Sequence, residues 1–421
     1  MFGLSSTLAE GAAAKKKREL PEVEIIHAVP PEQEDCPHCN GSFRDLGDGE
    51  ASFEIEYVPA RFVRHRHIRK KRVCRCGDTI VTAAAPVRVT DGVQYGPGLH
   101  AHVVVSKCAD SLPLYRQSKR LKREGVEISD STLGDLFHRT AQCFRSLYDL
   151  ILEEIAQSGR VNADETPIRV QVGLGGTRRA YVWTFIGAMH VAFRYSASRS
   201  GDTPAVVLGA YTGLLQVDAY SGYNKICTPE GWTRVGCLAH VRRYFFNAQE
   251  TAPEASKEAM ERILAIYDIE YEAERQGIVG TDAHRALRQN KAQPLFESFH
   301  VWLLEQKGRH PPKGPMGKAI SYALNAWATL LVYLDHAALK PDNNQAEGAL
   351  RAVALGRKNF LFVGNDEAGQ NLAILQTIVA TCQANEVNPQ EYIADVLIRS
   401  QDPDVKKRDL LPDRWKILFS G

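Results

Sequence analysis

Hydrophobic and polar positions change period several times along this chain, and each change marks an element boundary. Apolar residues first alternate at Phe53, Ile55 and Tyr57, the period-two pattern of a β-ribbon. From 95 to 158 the spacing is helical. Within it, Leu114–Thr140 reads as a helix-turn-helix: an amphipathic helix ends near Gly125, Ile128 plugs the turn, and Ser129 or Ser131 caps a second helix. Strands return at Arg160. Val161–Asp164 is a short strand ending in an acid and followed by Pro167, and a hairpin at Gly187-Ala188-Met189 joins strands over Tyr181–Ile186 and His190–Tyr195. A helical stretch near Pro204–Tyr211 leads to a strand over Gly213–Asp218 and another over Thr233–Cys237. Residues 250–335 are then helical. Met316, Ile320, Leu324, Trp327, Leu331 and Leu334 recur at helical spacing there, with Ile263, Tyr267 and Phe296 on earlier helices, and together they predict core. A last helix follows the turn-forming Asp342-Asn343-Asn344. It carries Glu347, then Arg351 one turn later, and three turns bring Lys358 back to the same face.

The order strand, hairpin, helix, strand, helix, strand, with acids at the ends of the first and fourth strands, is the plan of the ribonuclease H-like α/β fold. Those two strands are neighbours in such a sheet, so their terminal acids meet at one edge. The predicted layout is a residual helix and basic linker (1–30), a zinc-ribbon DNA-binding domain (31–88) and a helical, helix-turn-helix-like region (89–158). Then come the first part of the core (159–249), an all-helical insertion (250–335), the last part of the core (336–400) and a C-terminal tail (401–421).

Composition adds little until charge is mapped. The 421 residues are 44% hydrophobic and 24% charged, with a net charge of +2, values ordinary for a globular protein. No run of eighteen apolar residues and no signal-peptide h-region occurs, which predicts a cytoplasmic protein with no membrane partner; nucleoid association is expected only if it binds DNA. The small net charge hides a local excess. Arg61, Arg64, Arg66, Arg69, Lys70, Lys71, Arg72 and Arg75 lie between Tyr57 and Gly77 without one acid, and Lys15-Lys16-Lys17-Arg18 lies upstream. Such clusters are the footprint of phosphate neutralisation, although a solvated face or linker has the same composition. Arg116, Lys119, Arg120, Lys122 and Arg123 make the helix-turn-helix basic too.

Two cysteine pairs, Cys36-Pro-His-Cys39 and Cys74-Arg-Cys76, suit one structural Zn²⁺ held by two knuckles, with Gly41 and Gly77 following where the turns need positive φ. Nine cysteines in a cytosolic chain favour metal binding or buried thiols over disulfides. Cys108, Cys143, Cys227 and Cys382 read as such thiols. Cys237-x-x-His240 has the spacing of a second zinc half-site, but no second pair follows it; a packed cysteine and a helix-capping histidine are the alternative. Glu347 and Arg351 taken alone are an i,i+4 pair worth a few tenths of a kcal/mol. Beside the other acids they suit a group holding a divalent metal next to a polyanion.

Taken together, these segments resemble the insertion-sequence-66 family of bacterial DDE transposases. The matching motifs are Cys36-Pro-x-Cys39; Glu56-Tyr57-Val58-Pro59-Ala60-Arg61; Gly96-Pro97-Gly98-Leu99; Leu114-Tyr115-Arg116-Gln117-Ser118; and Ala163-Asp164-Glu165-Thr166-Pro167. They continue with Val217-Asp218-Ala219-Tyr220-Ser221-Gly222-Tyr223, Cys237-Leu238-Ala239-His240-Val241-Arg242-Arg243, Asp342-Asn343-Asn344-x-Ala346-Glu347 and Gly356-Arg357-Lys358-Asn359.

The resemblance implies that Asp164, Asp218 and Glu347 are a catalytic triad holding two Mg²⁺ or Mn²⁺ ions for DNA strand cleavage and transfer. It selects Asp164 over Glu165, since only one of two strand neighbours can face the ions, and leaves Asp342 to order the turn. Cys237 and His240 would support the active site. Arg242, Arg243, Arg351 and Lys358 would touch DNA backbone. The implied partners are terminal inverted repeats and target DNA, a second copy of the chain on DNA, and accessory proteins of the element. Family members usually carry a longer N-terminal region with a coiled-coil helix, of which Met1 to about Ala14 is a stub. A non-catalytic DNA-binding remnant and a nuclease without strand transfer are the other functions this sequence could serve.

Overall fold

The computed structural model describes residues 61–75, 78–89 and 95–419, apart from 174, 210, 226 and 228–230, together with 38 and 52. Nearly all of these belong to one of the two units into which the chain divides, Phe62–Gly421. The expected ribbon at Phe53, Ile55 and Tyr57, and Cys36, Cys39 and Cys76, lie outside the described residues.

A small antiparallel hairpin, β1 (Lys71–Val73) and β2 (Ile80–Thr82), brackets Cys74. Three helices follow: α1 (Pro97–Cys108), α2 (Leu114–Arg123) and α3 (Asp130–Ala156). The turn forms as its residues dictate. Gly125 takes a φ of +86°, Ile128 is buried, and the Ser129 hydroxyl caps α3 by accepting from the Thr132 N–H at 3.1 Å. Ser129 is thus the cap, not Ser131. The second helix is far longer than a recognition helix, 27 residues, and its buried face from Leu133 to Ile155 belongs to the main core.

Five strands form the central sheet: β3 (Arg160–Val172), β4 (Gly176–Gly187), β5 (His190–Ser196), β6 (Leu214–Gln216) and β7 (Thr233–Val235), in the order β5-β4-β3-β6-β7. Helix α4 (Asp202–Leu208) links β5 to β6. β3, β6 and β7 are mutually parallel, whereas β4 and β5 are antiparallel to their neighbours. The first and fourth strands of this sheet are therefore adjacent, as the sequence predicts.

One expectation fails. β3 does not end at Asp164 but runs through Pro167 to Val172, paired with β4 throughout. The reason is that β6 pairs only with Arg160–Asn162, so the other edge of β3 is free of a strand from Ala163 onward. A proline is tolerated on such an edge because no ladder N–H is demanded of it. The open edge is covered by α10 (Asn344–Phe360) and the segment after it. The Asn343 amide donates to Ala163 O at 2.8 Å, Arg357 to Pro167 O at 2.7 Å, and Val363 N to Arg169 O at 2.9 Å. These acceptors sit at odd positions, the ones whose carbonyls point to the same side of a strand. The β5 edge is closed similarly by α11 (Asp366–Ala384), whose Thr377 and Thr381 hydroxyls accept from Phe193 N and Val191 N at 2.8 and 3.2 Å.

After β7 come α5 (Leu238–Asn247), α6 (Pro253–Arg275), α7 (Asp282–Leu287), α8 (Gln293–Lys307) and α9 (Pro315–Leu331). They build a second core of their own, containing Phe245, Ile263, Phe296, Phe299, Met316 and Ile320. The buried stripe on α9 runs through Ala323, Ala326 and Leu330, while Leu324, Trp327 and Leu331 only flank it. This core reaches back to Val235 and forward to Leu339, so α5 packs with the insertion. Last among the described elements are α12 (Pro389–Arg399) and α13 (Pro412–Leu418), and Leu410, Leu411 and Trp415 return the segment after α12 to the main core. No helix among the described residues is long and apolar enough to cross a membrane.

Candidate active site

Three segments meet at one end of the sheet: the middle of β3, the loop after β6 and the first turn of α10. They are tied by buried side-chain amides. Asn162 Nδ2 donates to Gln216 Oε1 at 3.0 Å and to Asn343 Oδ1 at 2.9 Å. Gln216 in turn donates to Lys340 O at 2.7 Å, and Asn343 to Ala163 O. Asn162 and Gln216 each stand two residues before an acid: Asn162 on the same face of β3 as Asp164, and Gln216 at the end of β6, just before the loop that carries Asp218. Asn343 stands at the N-terminus of the helix that bears Glu347. Fixing the three amides therefore fixes the three acids. Sequence reasoning missed this network; its signal was a buried polar residue two positions before each strand acid.

Burial, and then the neighbouring charges of Glu165, Asp218 and Glu347, push the Asp164 carboxyl up to about 7. Glu165 points elsewhere. It accepts from Arg199 Nε at 2.6 Å and lies 3.4 Å from the Tyr223 hydroxyl. Asp218 accepts from Tyr220 N at 2.9 Å, so it also orders its own turn. That turn is held by Arg234, which donates to the carbonyls of Asp218 and Tyr220, and by the Tyr322 hydroxyl, which accepts from Ala219 N at 3.3 Å. Gly222 is required here, because a Cβ would stand 2.2 Å from the Tyr220 ring. Asp342 orders the start of α10: its Oδ1 accepts from Asn344 N at 3.1 Å while Oδ2 accepts from the Tyr267 hydroxyl at 3.1 Å.

Among the described residues' ion pairs, Glu347 is joined not to Arg351 but to α5. Arg243 donates to Glu347 Oε2 at 2.7 Å, and His240 Nδ1 faces Oε1 at 3.6 Å. Burial lowers the pKa of His240, so the ring is neutral at pH 7 and the second contact is not an ion pair. Cys237 caps α5 with its thiol buried; desolvation raises it to about 12, and its sulfur accepts from Asn343 N at 3.2 Å. Cys237, His240 and Arg243 thus converge on Glu347. Arg242, Arg351 and Lys358 are exposed and carry their charge to solvent.

The basic run is exposed from Arg61 to Arg72, with Arg64, Arg66, Arg69 and Lys70 outside any regular element and Lys71 and Arg72 on β1. Cys74 Sγ accepts from Thr79 N at 3.3 Å, a backbone contact that suits a metal-binding knuckle. On α2, Arg120 and Lys122 pair with Glu124 and Glu127, leaving Arg116, Lys119 and Arg123 as its surplus charge.

Comparison with known proteins shows the family. Residues 92–371 match the family described as "Transposase IS66 family", and residues 33–77 match the "zinc-finger binding domain of transposase IS66". Two relatives from Sinorhizobium fredii (strain NBRC 101917 / NGR234), both called uncharacterized, are similar over most of the chain. "Uncharacterized protein y4hP" is 33% identical over 90% of this chain and 73% of its own length. "Uncharacterized protein y4jD" is 32% identical over 95% of this chain and 81% of its own. With a domain match covering most of its length and a zinc-finger match before it, the chain belongs to the IS66 family of transposases.

Proposed function

We propose that this protein is a DDE transposase whose Asp164, Asp218 and Glu347 act together on DNA ends, on a ribonuclease H-like core interrupted by the helical insertion. One observation carries the reading: three acids far apart in sequence are drawn to one sheet end. There burial pushes the Asp164 carboxyl up to about 7, with Glu165 and then Asp218 and Glu347 adding smaller upward shifts of like sign. Three carboxylates with only one cation among the described residues, Arg243, paired to them in a partly buried site fit a hard cation, and an all-oxygen donor set favours Mg²⁺ or Mn²⁺. The three do not form one compact ligand cluster, which is compatible with acids shared between two ions rather than gathered round one. When bound there, two such ions would activate a water or a DNA 3′-hydroxyl and stabilise the departing 3′-oxygen.

The chain's own residues position the reaction. The Asn162–Gln216–Asn343 amides hold the three acid-bearing segments in register. Arg243 and His240 aim the Glu347 carboxylate, and Arg234 and Tyr322 hold the Asp218 turn. Arg351, Lys358 and Arg242 offer exposed cations to DNA phosphates, and the run Arg61–Arg72 offers a second backbone-binding stretch; Cys36, Cys39, Cys74 and Cys76 would hold a structural zinc. Terminal inverted repeats are the DNA partner this assembly would read, as a homo-oligomer.

The test is incubation with a labelled terminal-repeat duplex and Mg²⁺ or Mn²⁺, with Asp164→Asn in parallel. Nicking and joining lost in the variant support the reading. Nicking without joining supports a nuclease, and a salt-sensitive band shift without cleavage supports a DNA-binding remnant.

A further inference from the structure

Glu347 also belongs to a second donor set, whose thiol and imidazole the chemistry of the three acids does not use. Cys237 Sγ, a ring nitrogen of His240 and a carboxylate oxygen of Glu347 all lie within 4.8 Å of one another, the one such group of metal-ligating side chains among the described residues. The donors come from two elements. Cys237 caps α5, His240 stands one turn inside it, and Glu347 projects from the first turn of α10.

Two features argue for a bound ion rather than simple packing. His240 Nδ1 and Glu347 Oε1 are both buried and both lack a hydrogen-bond partner, yet they face each other at 3.6 Å. That is too long for a hydrogen bond. It is close to the edge between two donors that share a tetrahedral ion at about 2.0–2.1 Å each. The remaining donor atoms are also already oriented from outside. Arg243 takes Glu347 Oε2 at 2.7 Å, which leaves Oε1 turned inward, and Asn343 N donates to Cys237 Sγ at 3.2 Å. Metal ligands are characteristically steered by such outer partners.

The donor types choose the ion. Sulfur and imidazole nitrogen are poor ligands for Mg²⁺ and good ones for Zn²⁺ or Co²⁺. A thiolate, a carboxylate and a neutral imidazole also balance a divalent charge to zero, which suits a buried place. We propose that Cys237, His240 and Glu347 form a binding site for a borderline-soft divalent cation, Zn²⁺ foremost, distinct from the zinc ribbon. Glu347 belongs to both donor sets, so Zn²⁺ here and Mg²⁺ at the carboxylates compete for it; that competition, unlike the site itself, rests on the function proposed above.

The experiment counts zinc in the full chain by plasma mass spectrometry after dialysis against metal-free buffer. Cys237→Ser and His240→Gln should each hold one zinc per chain fewer than the unaltered protein, with folding checked by circular dichroism. Asp164→Asn and Asp218→Asn should lose none. In Co²⁺-substituted protein, Cys237→Ser should lose one thiolate's share of the charge-transfer absorption. Equal zinc in the unaltered chain and in folded His240→Gln overturns the proposal. Loss of the same zinc in Asp164→Asn or Asp218→Asn overturns it as well, by assigning that ion to the acids. Absence of Mg²⁺-dependent cleavage would refute the catalytic reading and leave the zinc count unchanged.

Discussion

Asn343→Ala should damage this protein far more than its neighbour Asn344→Ala, although both belong to one Asn-Asn pair. The Asn343 side chain is fully buried, donates to Ala163 O at 2.8 Å and accepts from Asn162 Nδ2 at 2.9 Å. Alanine removes both bonds and leaves the Ala163 carbonyl without its side-chain partner at the edge of β3 that α10 covers. Asn162 keeps only its bond to Gln216. Two buried neutral bonds with one orphaned acceptor amount to about 2–4 kcal/mol. At a urea m-value of roughly 3 kcal/mol/M, the unfolding midpoint falls by about 1 M. Asn344 is exposed, and its alanine variant should stay within about 0.5 kcal/mol. Urea titration followed by circular dichroism measures both. Cleavage of a terminal-repeat duplex at low temperature, where Asn343→Ala is still folded, should also fall by at least tenfold, because Glu347 loses its register to Asp164. A loss below about 0.5 kcal/mol, or full cleavage by a folded Asn343→Ala, would refute the positioning role argued for the amide network.

Other outcomes follow from single features. Ser129→Ala removes the cap on α3 and should cost about 1 kcal/mol in the same titration. His100 is fully buried against Thr140, and desolvation pushes it from 6.5 down to about 4. The unfolded chain therefore takes up this proton below 6.5 while the folded chain resists it until about 4. Stability is fully present above 6.5 and falls as pH drops through that window, by up to about 3 kcal/mol from this group. His100→Gln should flatten that part of the stability–pH curve; an unchanged slope would contradict it. Asp164, raised to about 7, is largely protonated at pH 6 and must release its proton to bind a cation. Calorimetric titration with Mg²⁺ should then show tighter binding and less proton release at pH 8 than at pH 6, a difference that Asp164→Asn removes.

Much of the fold was legible because its signals are local. The turn at Gly125, the cap at Ser129, the hairpin at Gly187 and the helical insertion follow from periodicity and turn chemistry within a few residues. The length of β3 was not legible. Whether Pro167 stops a strand depends on which edge lacks a neighbour, and that is set by the short pairing of β6. The acids themselves stood out in the sequence, but their supports did not. Glu347 has Arg351 one turn away and instead pairs with Arg243, 104 positions earlier. The amides that hold the site span 54 and 181 positions, with no motif to announce them. On α9 the helical period was correct while the buried stripe was displaced toward the small residues Ala323 and Ala326. Close helix packing favours alanine there over the bulkier Leu324 and Trp327.

The most direct test of the central claim is Mg²⁺-dependent cleavage of a labelled terminal-repeat duplex by the full chain, compared with Asp218→Asn and Glu347→Gln at equal DNA occupancy. Strand cleavage by the unaltered chain, falling at least a hundredfold in both variants while the band shift persists, is the result this account predicts. Equal cleavage by all three proteins would contradict it.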